Sequence, residues 1–434
     1  MTADRSLLFR AGLSATWSGP VVSGRERDRV LAELGRLRSG QVWADASASE
    51  TVRFLDLAYP ARDLQPQALL DEIDAWGRSL RDRGDVQTLL YIGFGGSALG
   101  PRLLSEVFAE EGGRERIRVE VLDSIDPDTV TGLLQRLDLS TTHFLVCSKS
   151  SVTYEAVALY RIFLDALYRQ KLDPVDRLTF VVGPTGYLRD EAARLGAQVF
   201  PVPLGIGGRW SVLSPVGLTV AAALGRDLGA LLEGARVADQ AGEEAAQLAV
   251  HLAHSGVFVP FIYEDRLVGL GSWLTQLIME SLGKGRAQGR KAVIQSPAVV
   301  CARGTADQHS ILQDLTEGSG DRLPFFIEVG GDEFSSLKIP VLRGDSAGSP
   351  PIPEGTTLGG LRNTFAASTR QCLEDLGGSV GHLVYERVDE CSLGASLFFF
   401  QMAVAMAAGL LEVNAFDQPG VEAPKKRVRQ QFSS

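Results

Sequence analysis

The chain has 434 residues, more than one hydrophobic core usually supports, so two packed α/β units are expected. Hydrophobic residues make up 45% and charged residues 22%, with the 47 glycines scattered without period, which excludes collagen-like and disordered classes. A formal net charge of −10 argues against a broad basic surface for nucleic acid or anionic lipid, so any phosphate must be held locally, by backbone N–H groups and a few placed cations.

In chain order, MTADRSLLFRAG has an apolar stretch too short for a signal-peptide core. Residues 24–84 carry apolar side chains at three- and four-residue spacing, in RERDRVLAELGRLRSG and LQPQALLDEIDAWGRSLRDRG, so residues 1–84 are read as an N-terminal helical segment packing on a first α/β unit. Short apolar runs then alternate with helix-length segments: VQTLLYIG, RIRVEVLD, HFLVCSKS, RLTFVVG and AQVFPVP. That alternation predicts a parallel sheet within residues 85–250. It restarts with GVFVPFIYED, KAVIQSPAVV, LPFFIEVG and GHLVYERV, which predicts a second unit over residues 251–412. The Pro-, Gly- and Ser-rich stretch 344–357 reads as a surface loop. Residues 395–411, ASLFFFQMAVAMAAGLL, approach bilayer length, but Gln401 interrupts them and the alanines suit close packing, so the run is read as a buried helix. Residues 413–434, with Lys425, Lys426, Arg427 and Arg429, read as a C-terminal tail or lid. Four cysteines without C-x-x-C spacing fit a reducing cytoplasm.

Six segments carry chemistry. In LLYIGFGGSALGP a strand runs into Gly93, Gly95, Gly96 and Ser97 before a helix, which exposes backbone amides and one hydroxyl to an anion. Gly93, Gly95, Ala98 and the later Asp123 equally fit a dinucleotide fingerprint, so a nicotinamide-dependent dehydrogenase is a rival reading. HFLVCSKSSVTYE ends a second strand in Ser148, Lys149, Ser150, Ser151 and Thr153, hydroxyls that either cap the next helix or share a phosphate with the first turn. LGIGGRWSVLSP presents Arg209 from a glycine-rich turn, a fixed cation suited to a developing oxyanion. In LGSWLTQLIMESLGKG, Gln276 and Glu280 stand one helical turn apart, which puts an amide beside a carboxylate able to shuttle a proton. RGTADQHSILQ carries His309, the residue type that titrates nearest neutrality. The last is NAFDQPGVEAPKKRVRQQF, with Gln418 and Lys425. His251 and His254 lack accompanying Cys or acidic ligands, so no metal is assigned to them.

From about residue 50 to the end these segments resemble the phosphoglucose isomerase family. GFGGSALGP looks like its G-x-GGS-x-LGP turn, SKSSVTYE its SKS-G-T-T-x-E segment, and GGRWSVLSPVGL its GGRFS-x-x-S-x-x-G-L signature, with ESLGKG, GTADQHSILQ and FDQPGVEAPK completing the set. The resemblance implies two sugar-isomerase (SIS-type) three-layer αβα domains with parallel sheets, plus N-terminal helices and a C-terminal tail. It also implies interconversion of glucose 6-phosphate and fructose 6-phosphate through ring opening and a cis-enediolate. Carried onto matching positions, Gly96, Ser97, Ser148, Lys149, Ser150 and Thr153 would hold the phosphate, Glu280 would move the proton between C1 and C2, and Arg209 would stabilise the enediolate. Gln276 and Gln418 would line the site, and His309 and Lys425 would assist ring opening, the histidine arriving from the partner of a homodimer. No metal or redox cofactor is implied. Ser151, Val152 and Pro424 depart from the pattern, which more often has glycine, threonine and an aromatic residue there. Two related readings are a glucose/mannose-6-phosphate isomerase and a non-catalytic sugar-phosphate sensor; the sensor would not need Glu280, Arg209 and His309 together.

Overall fold

The computed structural model describes residues 7–19, 22–40, 52–109, 117–284, 296–330, 337–342 and 352–432. Strand β1 (Leu13–Ser18) leads to helix α1 (Gly24–Arg38), capped by the Ser23 hydroxyl accepting the Glu26 N–H, and then to α2 (Gln67–Asp82). The first alternation follows: β2 (Thr88–Ile92), α3 (Leu99–Val107), β3 (Arg118–Leu122), α4 (Pro127–Arg136), β4 (Thr142–Ser148), α5 (Tyr154–Arg169), β5 (Leu178–Val182), α6 (Tyr187–Leu195) and β6 (Gln198–Pro201). Helices α7 (Pro215–Ala223), α8 (Leu228–Gln240) and α9 (Gly242–His254) separate it from the second, which runs β7 (Val257–Ile262), α10 (Gly269–Leu282), β8 (Ala298–Val299), β9 (Ala302–Arg303), α11 (Leu312–Glu317), β10 (Arg322–Val329), α12 (Leu358–Asp375) and β11 (Val380–Tyr385). Helices α13 (Glu390–Leu411) and α14 (Pro419–Phe432) complete the chain.

The first sheet is parallel throughout, in the order β3-β2-β4-β5-β6. Every residue of β4 and β5 is buried, as expected of inner parallel strands covered on both faces, and this is why Phe144–Cys147 and Phe180–Val182 read as continuous apolar runs. The second sheet has the order β1-β11-β10-β7-β8, with β9 also on β7; it is parallel except for β1, which pairs antiparallel with β11.

Residues 1–84 therefore correct the helical reading. Helix α2 packs towards the first unit, against α7 and with Trp76 donating to Thr179 of β5, and so does the 3-10 turn Phe54–Ala58, which lies on α8 with Phe54 against Trp210, whereas β1 extends the second sheet and α1 lies on α9 and α13. LSATWS does alternate apolar and polar residues, but six residues become a strand only where a free edge such as that of β11 accepts them. Helix α9 continues to His254, so the second alternation begins a few residues past the boundary placed at 250/251. Of KAVIQSPAVV and the 344–357 loop, residues 291–295 and 344–351 lie outside the described residues.

The uncharged run 395–411 sits in α13, started by an Asp389–Ser392 capping box and 89% buried over its most apolar window, so it is a core helix. It packs on α8 through paired glycines. A Cβ on Gly234 would lie 1.8 Å from the Cys391 carbonyl oxygen, and one on Gly394 1.9 Å from that of Leu231, so only hydrogen at both positions permits this approach.

Candidate active site

Strands β2 and β4 are neighbours and point their carboxyl ends the same way, so the turns that follow them meet at one edge of the first sheet. After β2 the chain makes a 3-10 turn at Gly95–Ser97, with Gly95 at φ +55°, before α3 begins. A Cβ on Gly96 would stand 2.1 Å from the Gly208 carbonyl carbon, so this turn lies directly against the turn that carries Arg209. Ser97 is buried beside the Cys147 thiol, which burial pushes up to about 11. After β4, the hydroxyls of Ser148 and Thr153 are 2.9 Å apart, those of Ser150 and Thr153 3.2 Å, and those of Ser148 and Ser150 3.5 Å. Thr153 occupies the cap position of α5 but makes no side-chain cap bond; its hydroxyl turns towards the serines instead. The three hydroxyls thus form a cluster ahead of a sixteen-residue helix whose N-terminus favours an anion.

Helix α10 crosses from the second unit and packs against both glycine-rich turns. Gln276 Nε2 lies 3.2 Å from where a Cβ would stand on Gly95, and it donates to Glu280 Oε2 at 3.0 Å. That same carboxylate oxygen is 3.4 Å from Arg209 Nη1. Arg209 is 3% exposed, yet every arm of its guanidinium has a partner. Nε donates to Ser281 Oγ at 2.8 Å, Nη1 to Gln418 Oε1 at 3.2 Å, and Nη2 to the carbonyls of Ala415 and Asp417 at 2.5 and 2.8 Å. Burial lowers its pKa from the ordinary arginine value, with the charges of Glu280 and Asp417 opposing the shift, and a guanidinium so placed remains cationic. The result is a rigid cation and a 23% exposed carboxylate side by side, next to a hydroxyl- and amide-lined turn. Such a set can grip an anion, move a proton and stabilise a developing oxyanion.

The structure thereby brings together Gly96, Ser97, Arg209, Gln276, Glu280 and Gln418, and sets Ser148, Lys149, Ser150 and Thr153 on the adjoining strand end. It does not bring His309 to them. His309 ends the 3-10 turn Ala306–His309, which rests on β9 and α11, and its side chain is exposed while neighbouring Gln308 is tied inward to the Tyr263 hydroxyl at 2.9 Å. Lys425 lies on α14, exposed, with its Nζ 3.1 Å from Glu422. Asp123, the acid of the dinucleotide reading, forms an ion pair with Arg102 at 2.7 Å. His251 stacks on Trp17 at 4.6 Å, and His254 bonds Glu26 at 2.6 Å.

A model of the family described as phosphoglucose isomerase matches residues 67–324, a span that holds both glycine-rich turns, the hydroxyl cluster, Glu280 and His309. The chain belongs to the phosphoglucose isomerase family. Glucose-6-phosphate isomerase of Thermus thermophilus is 34% identical over 426 residues, covering 96% of this chain and 95% of the relative. The enzyme of the same name from a Synechococcus species is 36% identical over 430 residues, covering 92% and 78%. Among solved structures, a hypothetical protein of Thermus thermophilus superposes with a TM-score of 0.82 at 32% identity, covering 94% of this chain and 96% of that one. A glucose-6-phosphate isomerase from Chlamydia trachomatis superposes at 0.81 with 21% identity, covering 98% and 89%, and supports the fold.

Of the departures from the phosphoglucose isomerase pattern, Ser151 carries a physical consequence. Ser151, where glycine is common, has φ +57°, a left-handed conformation that costs a residue with a Cβ about 1 kcal/mol, and its buried hydroxyl has no hydrogen-bond partner among the described residues. Sequence reasoning also passed over Lys284, buried four residues beyond Glu280 and bound to Asp417, and the carbonyls that hold Arg209. The spacing from Glu280 to Lys284 was a signal available in the sequence; the backbone oxygens had none.

Proposed function

We propose that this chain interconverts glucose 6-phosphate and fructose 6-phosphate, with Glu280 as the base. The carrying observation is the placement of the Glu280 carboxylate between Gln276, at 3.0 Å, and the buried Arg209, at 3.4 Å, on a helix packed against the Gly95–Ser97 turn. The phosphate would be taken by the Gly96 amide and by Ser97, Lys149 and the Ser148, Ser150 and Thr153 hydroxyls, anchoring one end of an open-chain sugar. Glu280 then removes the proton from the carbon beside the carbonyl, leaving a cis-enediolate, and returns it to the neighbouring carbon; the sugar gains and loses no atoms overall. Arg209 offers a cation that is already fully bonded to protein, so it stabilises the enediolate oxygens without reorganising. Gln276 and Gln418 orient this pair and line the pocket. This chemistry needs no metal and no redox cofactor.

Lys425 and His309 of the partner subunit assist ring opening in a homodimer. The exposed position of His309 supports this, as does the apolar surface beside it: Gln308 bonds the Phe365 carbonyl, Phe365 is 46% exposed, and the same α12 begins at Leu358, 51% exposed and bonded to Leu337, 64% exposed. Four free cysteines suit a reducing cytoplasm. The test is a coupled assay on fructose 6-phosphate in the presence of a chelator. Glucose 6-phosphate should form at an undiminished rate; bound substrate without turnover would leave a sensor, and equal turnover of mannose 6-phosphate would broaden the specificity.

A further inference from the structure

The buried cation Lys284 has no part in the steps above. It is 7% exposed, just past the C-terminus of α10. Its Nζ donates to the carbonyls of Asn414 and Asp417, the latter at 2.7 Å, and stands 2.7 Å from Asp417 Oδ1 in an ion pair. The Asp417 carbonyl is shared: Arg209 Nη2 donates to it at 2.8 Å, while the same guanidinium holds the Ala415 carbonyl and Gln418 Oε1. Asn414 Oδ1 in turn accepts the Phe416 N–H at 2.9 Å, and the Phe416 ring packs on Trp210, next to Arg209, with centroids 5.0 Å apart. Residues 414–418 are therefore held between two buried cations reaching in from different elements. Burying an ammonium is costly unless its acceptors are in place, so Lys284 favours the one loop conformation that supplies all three.

We propose that Lys284 is a positioning residue for the isomerisation: by clamping Asn414–Asp417 against α10, it fixes the carbonyls that aim Arg209 at the reacting carbons and holds Gln418 beside Glu280. Its role rests on the isomerase function proposed above. The charged groups facing Lys284 are Asp417 from the loop, Arg209 from the glycine-rich turn and Glu280 from its own helix. Burial pulls the ammonium down to about 8, with Arg209 adding to the shift and Asp417 and Glu280 opposing it, so the clamp loses a proton in mildly alkaline solution.

The test compares Lys284→Met, Lys284→Ala and the milder Asp417→Asn with the wild-type chain, each checked for cooperative melting. For Lys284→Met, kcat should fall by about tenfold or more while KM for fructose 6-phosphate stays within about threefold, since the phosphate grip is built on the other unit. Lys284→Ala should show the same split and regain kcat with n-propylammonium or n-butylammonium but not with sodium chloride, which a purely structural loss would not do. The wild-type kcat should decline as pH rises through about 8, and this limb should be absent in Lys284→Met. Should the lysine variants fail to fold, Asp417→Asn must still lower kcat without raising KM. An unchanged kcat, a loss confined to KM, or a folded Lys284→Ala that no amine restores would overturn the clamp. Absence of turnover in the wild-type chain would instead overturn the isomerase function itself.

Discussion

Glu280 has its carboxylate in a position where charge and reach matter and bulk does not, because Gln276 and Arg209 already define its oxygen. Glu280→Gln should therefore leave sugar-phosphate binding within about threefold of normal by titration calorimetry and lower kcat by about a thousandfold, since the amide cannot accept the carbon-bound proton. Near-normal turnover would remove its role as base. Ser151 belongs to the same neighbourhood but to a different accounting. A left-handed backbone and an unbonded buried hydroxyl both disfavour it, against the smaller entropic cost of glycine. Ser151→Gly should raise the free energy of unfolding by about 1 kcal/mol in denaturant titration. At this scale the site was partly legible: Ser97, Arg209 and Glu280 each sit in a short glycine-marked or helical pattern. The Ala415 and Asp417 carbonyls were not legible, because every residue has a carbonyl and only the fold selects two of them.

Strand β4 illustrates what an element contributes beyond its end. His143 is 4% exposed within it, with Nε2 2.9 Å from Thr179 Oγ1 of β5, and burial, helped by the nearby charges of Arg83 and Arg177, pulls its pKa down to about 3. His251 of α9, stacked on Trp17 of β1, is pulled down to about 4, chiefly by burial. Both are neutral in the folded chain when an unfolded histidine, titrating near 6.5, already binds a proton. Their contribution is thus fully present above about pH 6.5 and is lost as the solution is acidified towards pH 4 and 3, at about 1 kcal/mol per pH unit for each. Urea unfolding of His143→Gln between pH 6.5 and 5 should show a shallower acid slope than the wild-type chain; an identical slope would deny this role to His143. The strands themselves were legible because inner parallel strands are apolar on both faces. Strand β1 was not, since its alternation becomes a structure only by pairing with β11, at the far end of the chain.

For the molecule as a whole, the decisive question is where His309 acts. If it serves the neighbouring copy, Glu280→Gln and His309→Ala damage different sites of a mixed dimer, and one of its two sites keeps both residues. Random reassembly of the two inactive variants should then recover about a quarter of wild-type turnover, since half of the dimers are mixed. A mixture as inactive as its parents would place His309 in its own subunit's site. Sequence by itself determined the family, the two runs of strand and helix and the core character of 395–411. Those features are written in periodicities and motifs a few residues long, which need no distant partner to be read. Tertiary structure alone decided that β1 completes the second sheet, that α10 carries Glu280 to turns built on the other unit, and that residues 414–418 close around Arg209 and Lys284. Each of these is a meeting of segments far apart in the sequence, and such meetings are chosen by burial and by the pairing of polar groups across the whole fold.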